Sequence, residues 1–264
     1  MRPAFGQYVP VASPVHSLDA RTKMLIALGF TVALFLLGSL VGLAVAAVAV
    51  IACIRVARVP YRVALRGVRA VAVILAVTLI AHALRWGPAP LPLLRIGQLT
   101  VDGRGLLEGV FFAGRIVLLV VGTSLVTLTT TPVDIADGLE RLMSPLKIVR
   151  VPVEDLAMML TIALRFIPTT ATEAERVVLA QRARGARFDS GGPIRRTRAY
   201  VPVLVPLFVN LFRRAEELST AMEARGYRGG PGGRTRLRES RMRTVDWVVI
   251  ALSLAALATL ATVL

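Results

Sequence analysis

The sequence predicts an all-α, polytopic integral membrane protein with about five transmembrane helices and long amphipathic helices on the cytoplasmic side. Three observations support this fold class. Of the 264 residues, 55% are hydrophobic, and the mean hydropathy is +0.68, which is more apolar than a soluble domain. The net charge is nevertheless +16. Long uncharged runs separate the blocks that carry this charge, as expected for membrane spans and their flanking loops.

The first apolar run, residues 24–54, is 31 residues long and contains no charged residue. A single helix of that length would measure roughly 46 Å, well beyond the ~30 Å hydrocarbon core of a bilayer. Gly38-Ser39 lies near the middle of the run. We therefore predict two short helices, or a tight helical hairpin, with a break at this dipeptide.

Two further apolar runs, 68–84 and 110–128, predict the next two helices. The segment between them has three prolines within 88–92, which exclude a regular helix. Its residues 99–103 are typical of a short turn or the end of a hairpin. We assign no chemistry to this loop.

The last apolar run, 247–264, predicts a closing transmembrane helix with Trp247 as an interfacial anchor. At the other end of the chain, the first run is too long for the 7–15-residue core of a cleaved signal peptide. We therefore expect a signal anchor at most.

The positions of the Lys and Arg residues predict how the chain is oriented in the membrane. With the first run split in two and the N-terminus inside, 28 of the 32 Lys and Arg residues fall on the cytoplasmic side and 4 on the outer side. A cluster of five arginines between residues 55 and 69 decides this, because it would lie outside if the first run were one span. The sequence thus predicts a multi-pass protein of the cytoplasmic (inner) membrane, with its N-terminus inside and its C-terminus outside.

These runs divide the chain into three parts: N-terminal transmembrane helices over 1–128, a cytoplasmic region over 129–246, and a C-terminal transmembrane helix over 247–264. The middle part begins with Thr131-Pro132 followed by Asp134, which is a typical helix start. This signal predicts a short helix over 133–143.

Two long amphipathic helices follow. The first begins at Pro152, has apolar residues spaced by three and four, and continues past a kink at Pro168. The second begins near Pro202. Both end in A-x-x-A-R-G, with the two arginines 41 positions apart. Glycine after a helix favours a left-handed cap, and arginine in the last turn suits the negative end of the helix dipole. The six residues concerned are Ala183, Arg184, Gly185, Ala224, Arg225 and Gly226.

Several function classes are disfavoured by what the sequence lacks. One cysteine, Cys53, cannot form an internal disulfide or a thiolate metal site, and no GxxxxGK[ST] phosphate-binding loop is present. We expect no cofactor, no metal site and no catalytic residue. A sequence pI near 11.6 could suggest nucleic-acid binding. The predicted topology assigns this charge instead to anionic lipid headgroups and partners at the inner membrane face.

Two alternative functions have a sequence feature behind them. Asp134-x-x-Asp137 is the only paired-carboxylate candidate for a membrane enzyme such as a lipid-phosphate transferase, although acids in a first turn usually serve the helix dipole. An ion-coupled carrier would need an ionisable group inside a span, and His82 at a span end is the main candidate.

The ordered set of motifs resembles the transmembrane T component of energy-coupling factor (ECF) transporters. The segments 13–23 (SPVHSLDARTK), 128–132 (LTTTP), 163–168 (ALRFIP) and the two Ala-Arg-Gly triplets carry the resemblance, which covers about residues 13–227. The family more often has a proline before the arginine at position 21, where this chain has Ala20.

The resemblance implies a non-enzymatic scaffold and coupling subunit of an ABC-type importer. Its partners would be two ATP-binding ATPase subunits and a substrate-binding membrane S component, with ATP hydrolysis linked to uptake of a vitamin or a transition-metal ion. The triplet 183–185 would contact one ATPase and the triplet 224–226 the other, with Arg184 and Arg225 paired to acidic groups. The transported substrate is chosen by the S component, so this chain does not specify it.

Overall fold

The computed structural model describes residues 8–86, 92–96, 99–149, 151–186, 188, 192–227 and 242–263. The chain forms two compact units. The first, which we call the span unit, contains Gly6–Gly138 and Leu237–Leu264; the second, the amphipathic unit, contains Leu139–Arg236. The described regular structure is mainly helical, as the sequence predicts.

The first apolar run folds as two helices, α1 (Ala20–Leu36) and α2 (Leu40–Ala57). The predicted break at Gly38-Ser39 is present. Leu37 ends α1 in an extended conformation, and the Ser39 hydroxyl accepts a 3.0 Å hydrogen bond from the Gly42 amide at the start of α2. Serine is a favoured residue at this position because it satisfies an amide that has no partner within the helix.

The next predicted helix, 68–84, is wrong as a single element. The chain instead forms α3 (Tyr61–Ala64), α4 (Arg66–Ala70) and α5 (Ala72–Ala83), and the helical direction changes by 61° between 61–70 and 72–83. The Val71 amide bonds to the carbonyl of Val68, three residues back, at 3.2 Å. Such a tight turn interrupts the α-helical ladder and permits the bend.

A three-stranded antiparallel sheet follows, with the order β1-β3-β2. The strands are β1 (Leu84–Trp86), β2 (Pro92–Ile96) and β3 (Leu99–Asp102). Residues 99–103 were predicted as a turn or a hairpin end. The structure places most of them in the central strand, because β3 pairs with a strand on each side.

The long helix α6 (Gly103–Thr129) has 27 residues and begins earlier than the predicted 110–128. Buried Asp102 caps it by accepting a 3.2 Å hydrogen bond from the Arg104 amide. Two glycines let α5 pack closely against the first half of α6. A Cβ at Gly105 would lie 2.1 Å from the His82 carbonyl oxygen, and one at Gly109 3.3 Å from Leu79.

The core of the span unit lies between α1, α2 and the second half of α6. Apolar side chains from all three helices form one buried cluster, which includes Leu34, Leu37, Leu43, Ala46, Val50, Ile54, Leu118, Val121, Leu125 and Leu128. The last helix, α11 (Thr244–Val263), packs on α1. Gly29 permits this approach, since a Cβ there would lie 2.9 Å from Leu254.

By length and composition, α2 and α6 can each cross a membrane, with mean hydropathies of 2.6 and 2.1. The bent segment Tyr61–Ala83 raises the number of candidates to three if it counts as one span. Helix α1 has 17 residues, and the described apolar part of α11, Thr244–Thr259, is also short. An α-helical membrane protein is confirmed, and the number of five spans stays a prediction.

Helix α7 (Pro132–Leu142) occupies the predicted 133–143 almost completely, and a 3₁₀ helix (Ser144–Val149) follows it. The amphipathic unit then contains α8 (Val153–Ala183), α9 (Pro193–Ala199) and α10 (Val201–Ala224). Helix α8 continues through Pro168 for 31 residues. Both long amphipathic helices predicted from the sequence are therefore present.

Candidate docking ends of the amphipathic helices

Helix α8 ends in a Schellman cap at the predicted A-x-x-A-R-G motif. Gly185 has a φ of +88°, the left-handed conformation that glycine adopts at low cost. Its amide bonds to the Arg182 carbonyl at 3.0 Å, and the Ala186 amide bonds to the Gln181 carbonyl at 3.0 Å. These are the two hydrogen bonds that define this type of helix end.

Helix α10 ends in the same way 41 residues later. Gly226 has a φ of +78°. Its amide bonds to the Glu223 carbonyl at 2.9 Å, and the Tyr227 amide bonds to the Met222 carbonyl at 3.0 Å. The preceding arginines also match, with φ, ψ of −84°, 7° at Arg184 and −88°, 8° at Arg225. The repeated motif thus builds two helix ends with nearly the same backbone.

All six residues predicted from the motif are exposed: Ala183, Arg184, Gly185, Ala224, Arg225 and Gly226. Among the described residues, none forms an ion pair or a side-chain hydrogen bond with Arg184 or Arg225. Each arginine is thus a solvent-facing cation beside the last carbonyls of a helix. Such a side chain is available to a carboxylate brought by another molecule.

The two helices contact each other near the middle of each. Glu173 of α8 accepts a 2.8 Å hydrogen bond from the Asn210 side chain and lies 3.5 Å from Arg214 in an ion pair. The Arg214 guanidinium also lies 5.7 Å from the ring centroid of Phe166. One carboxylate and one aromatic ring of α8 therefore hold α10 at this contact.

The residues that line a groove of about 520 Å³ show in which direction α10 runs along α8. Ile162 and Phe166, on the N-terminal side of the α8 contact, line it together with Leu218, Met222 and Tyr227 from the C-terminal side of α10. The contacts therefore run in opposite directions along the two helices. Each arginine lies eleven residues beyond the Glu173–Arg214 contact, or about 16 Å at 1.5 Å per residue.

The paired-carboxylate candidate serves a helix start. The Thr131 hydroxyl donates to the Asp134 carboxylate at 2.6 Å and accepts from the Asp134 amide at 3.2 Å, an arrangement that resembles a capping box. Asp137 is exposed one turn later. In the described part of the chain, no group of three or more His, Cys, Asp or Glu residues could hold a metal ion.

His82, the candidate for an ion-coupled carrier, also has a hydrogen-bond partner and a ring contact nearby. Its Nδ1 donates to the Thr78 carbonyl at 2.8 Å, and its ring lies 4.9 Å from that of Phe112. No acidic side chain makes a described contact with this ring. The geometry favours a role in the packing of α5 against α6.

Sequence reasoning missed three charged side chains. Arg115 was assigned to the outer loop and its edges, but it lies about halfway along α6. Lys23 and Asp246 are buried at the starts of α1 and α11, with 7% and 3% of their surface exposed. A signal was present for each, since each is a single charge inside or at the edge of an apolar run.

The chain is similar to proteins of known class over nearly its whole length. The family model of CbiQ, described as cobalt transport protein, matches residues 12–237. Several relatives are each named energy-coupling factor transporter transmembrane protein EcfT. The relative from Heliobacterium modesticaldum is 46% identical over 92% of this chain and 91% of its own length. Those from Thermosediminibacter oceani and Bacillus subtilis are each 44% identical, over 91% and 89% of this chain and 90% and 88% of their own lengths.

Proposed function

The chain belongs to the CbiQ family of transporter transmembrane components, which includes the EcfT proteins, and from this premise we propose that it couples two ATPase subunits to an S component. The observation that carries the proposal is the pair of Schellman-capped helix ends at Arg184 and Arg225. In this proposal the chain binds no nucleotide and catalyses no reaction. It acts as a scaffold that transmits movement of the ATPase subunits to the S component.

Each helix end has the chemistry of a docking site for an acidic groove. The left-handed glycine stops the helix abruptly, so that the arginine stands at the tip with no further helical turn beside it. A guanidinium presents a planar fork that binds a carboxylate through two parallel hydrogen bonds. The neighbouring alanines, Ala183 and Ala224, are small, so an ATPase groove can approach the helix closely.

Two separate helix ends serve two ATPase subunits, because the helices are antiparallel. The ends lie on opposite sides of the contact between Glu173 and Arg214, each about 16 Å from it. Ala183, Arg184 and Gly185 then dock on one ATPase, and Ala224, Arg225 and Gly226 dock on the other. Hydrolysis of ATP changes the separation of the two grooves and thereby moves both helices.

We assign the remaining parts of the chain in the same way. The regions 1–128 and 247–264 lie in the cytoplasmic membrane, with the N-terminus inside, and the region 129–246 carries the docking helices. A membrane-embedded S component binds the span unit and supplies the substrate, a vitamin or a transition-metal ion. The 28 cations on the inner side also bind anionic lipids, and no nucleic acid is involved.

Charge reversal at both arginines tests the proposal. In Arg184→Glu/Arg225→Glu, each tip repels the carboxylate that it should bind, so ATPase co-purification and substrate uptake should each fall at least tenfold. The matched control reverses Arg176 on α8 and Arg198 on α9, which are both exposed; it should retain both properties. Membrane insertion should be normal in both variants. Uptake at the wild-type rate by the first variant would contradict the proposal.

A further inference from the structure

Five residues of the span unit form a buried polar cluster, which we call the basal knot: Asp19, Thr22, Lys23, Thr129 and Asp246. All except Asp19 have less than a tenth of their surface exposed. The knot joins the starts of α1 and α11 to the end of α6. These residues are as much as 227 positions apart in the sequence.

Lys23 caps the C-terminal end of α6. Its ammonium group donates to the carbonyl oxygen of Thr129, the last residue of that helix, at 2.9 Å. It also donates to the His16 carbonyl in the N-terminal segment at 3.2 Å. A buried cation at a helix C-terminus binds carbonyls that have no partner within the helix and interacts favourably with the dipole. Three carboxylates, those of Asp134, Asp19 and Asp246, interact electrostatically with this charge.

Asp246 joins the beginnings of two helices. One carboxylate oxygen accepts from the Arg243 amide at 2.8 Å, at the start of α11. The other accepts from the Asp19 amide at 3.1 Å and from the Thr22 hydroxyl at 3.4 Å, both at the start of α1. Since a helix N-terminus leaves amides without partners, one carboxylate satisfies donors from two elements at once.

The knot lies close to the point where the chain leaves the span unit, after Gly138. Gly138 is nine positions after Thr129, and a Cβ at Gly138 would lie 2.8 Å from the Met24 side chain, next to Lys23. The junction of α6 and α7 is therefore attached to α1 through buried, hydrogen-bonded side chains. Asp246 in turn joins the start of α11 to the start of α1.

We propose that Lys23 and Asp246 are positioning residues that hold the junction of α6 and α7 rigidly against α1 and α11, so that movement of the amphipathic helices reaches α6. This inference rests on the proposed coupling function and extends it to residues far in sequence from the docking ends. Without the knot, the helices would still dock on the ATPases. Their movement would bend the junction of α6 and α7 without moving α6, and ATP would be hydrolysed with less uptake.

The test compares three variants in the whole transporter, with ATPases and S component, reconstituted in liposomes. Lys23→Met removes the buried cation with which the Asp134, Asp19 and Asp246 carboxylates interact, and is expected to lower the amount of assembled complex. Lys23→Met/Asp246→Asn also removes one of these three negative charges, so the amount of complex should partly recover. Lys23→Arg keeps the charge and its donors. Gly122→Ala is the control for simple destabilisation, because its Cβ would lie 2.6 Å from the Phe30 ring, away from the knot.

The readout is the number of ATP molecules hydrolysed per substrate imported, measured at equal amounts of complex. We expect at least a fivefold increase in Lys23→Met and in Lys23→Met/Asp246→Asn, and a change of less than twofold in Lys23→Arg and Gly122→Ala. A double variant that recovers the wild-type ratio together with its yield would overturn the proposal, since the knot would then serve only folding. If the wild-type chain binds no ATPase at all, the proposed function fails instead.

Discussion

At the residue scale, the docking ends depend on the conformation of two glycines. Gly185 and Gly226 have φ values of +88° and +78°, and a Cβ on either would meet no atom within 4 Å. The need for glycine is therefore conformational and does not come from crowding. A residue with a Cβ pays about 1–2 kcal/mol to adopt the left-handed conformation.

Replacement by alanine should consequently loosen the helix ends. In Gly185→Ala/Gly226→Ala, we expect the Schellman hydrogen bonds of Ala186 and Tyr227 to weaken and the affinity for the ATPases to fall about tenfold, as a loss of ~1–2 kcal/mol implies. Hydrogen exchange at the last turns and a binding isotherm measure the two effects. Asparagine at the same positions is the control, because it adopts this conformation more readily. Equal binding by the alanine variant would show that the caps are dispensable.

At the element scale, α1 and α6 are antiparallel and held together by cations at two levels. Lys23 binds the Thr129 carbonyl at one level, and the Arg115 guanidinium donates to the Leu37 carbonyl at the other. Fourteen residues separate the two contacts on each helix, or about 21 Å. Arg115 thus supplies a polar partner for the break between α1 and α2, and its guanidinium stacks over Phe111 at 4.6 Å.

Loss of that partner should destabilise the break between α1 and α2 and its contact with α6. Arg115→Met leaves the Leu37 carbonyl without its donor, which we expect to lower the free energy of unfolding by about 1–3 kcal/mol. Arg115→Lys keeps a cation but loses the planar stacking, so its effect should be smaller. Unfolding in detergent measures the change, with Arg104→Met, exposed at the start of α6, as control. No loss of stability in Arg115→Met would rule out this role.

The accuracy of prediction also varied by element. The break at Gly38-Ser39 was predictable, because a run of 31 uncharged residues exceeds the thickness of a bilayer. The interruption at Val71 was not, since no Pro or Gly stands at that position and the bend depends on packing against α6. The sheet was missed because its strands are short and β2 begins at a proline. Strand pairing is a non-local property that such patterns signal weakly.

At the scale of the whole molecule, the sequence predicted the docking ends better than the parts that hold them in place. The repeated motif predicted both left-handed caps, because a helix stop is a local property of the chain. The basal knot was not predicted, because Asp246 meets Asp19 and Thr22 only when segments more than 220 positions apart fold together. The contact between Glu173 and Arg214 likewise joins residues far apart in the sequence.

If the two ends bind separate subunits, each should be disrupted independently. In a Cys53→Ala background, a cysteine introduced at Ala183 or at Ala224 can be cross-linked to a bound ATPase. Arg225→Glu should abolish the cross-link from position 224 and retain that from 183, and Arg184→Glu should do the reverse. Loss of both cross-links in either single variant would mean that the two ends do not bind independently.

The antiparallel contact of α8 and α10 has a consequence for the spacing of their ends. Each arginine lies eleven residues, about 16 Å, beyond the Glu173–Arg214 contact, and the two lie in opposite directions, so Arg184 and Arg225 stand roughly 32 Å apart along the helices. Any pair of acidic sites that binds both arginines at the same time must match this distance.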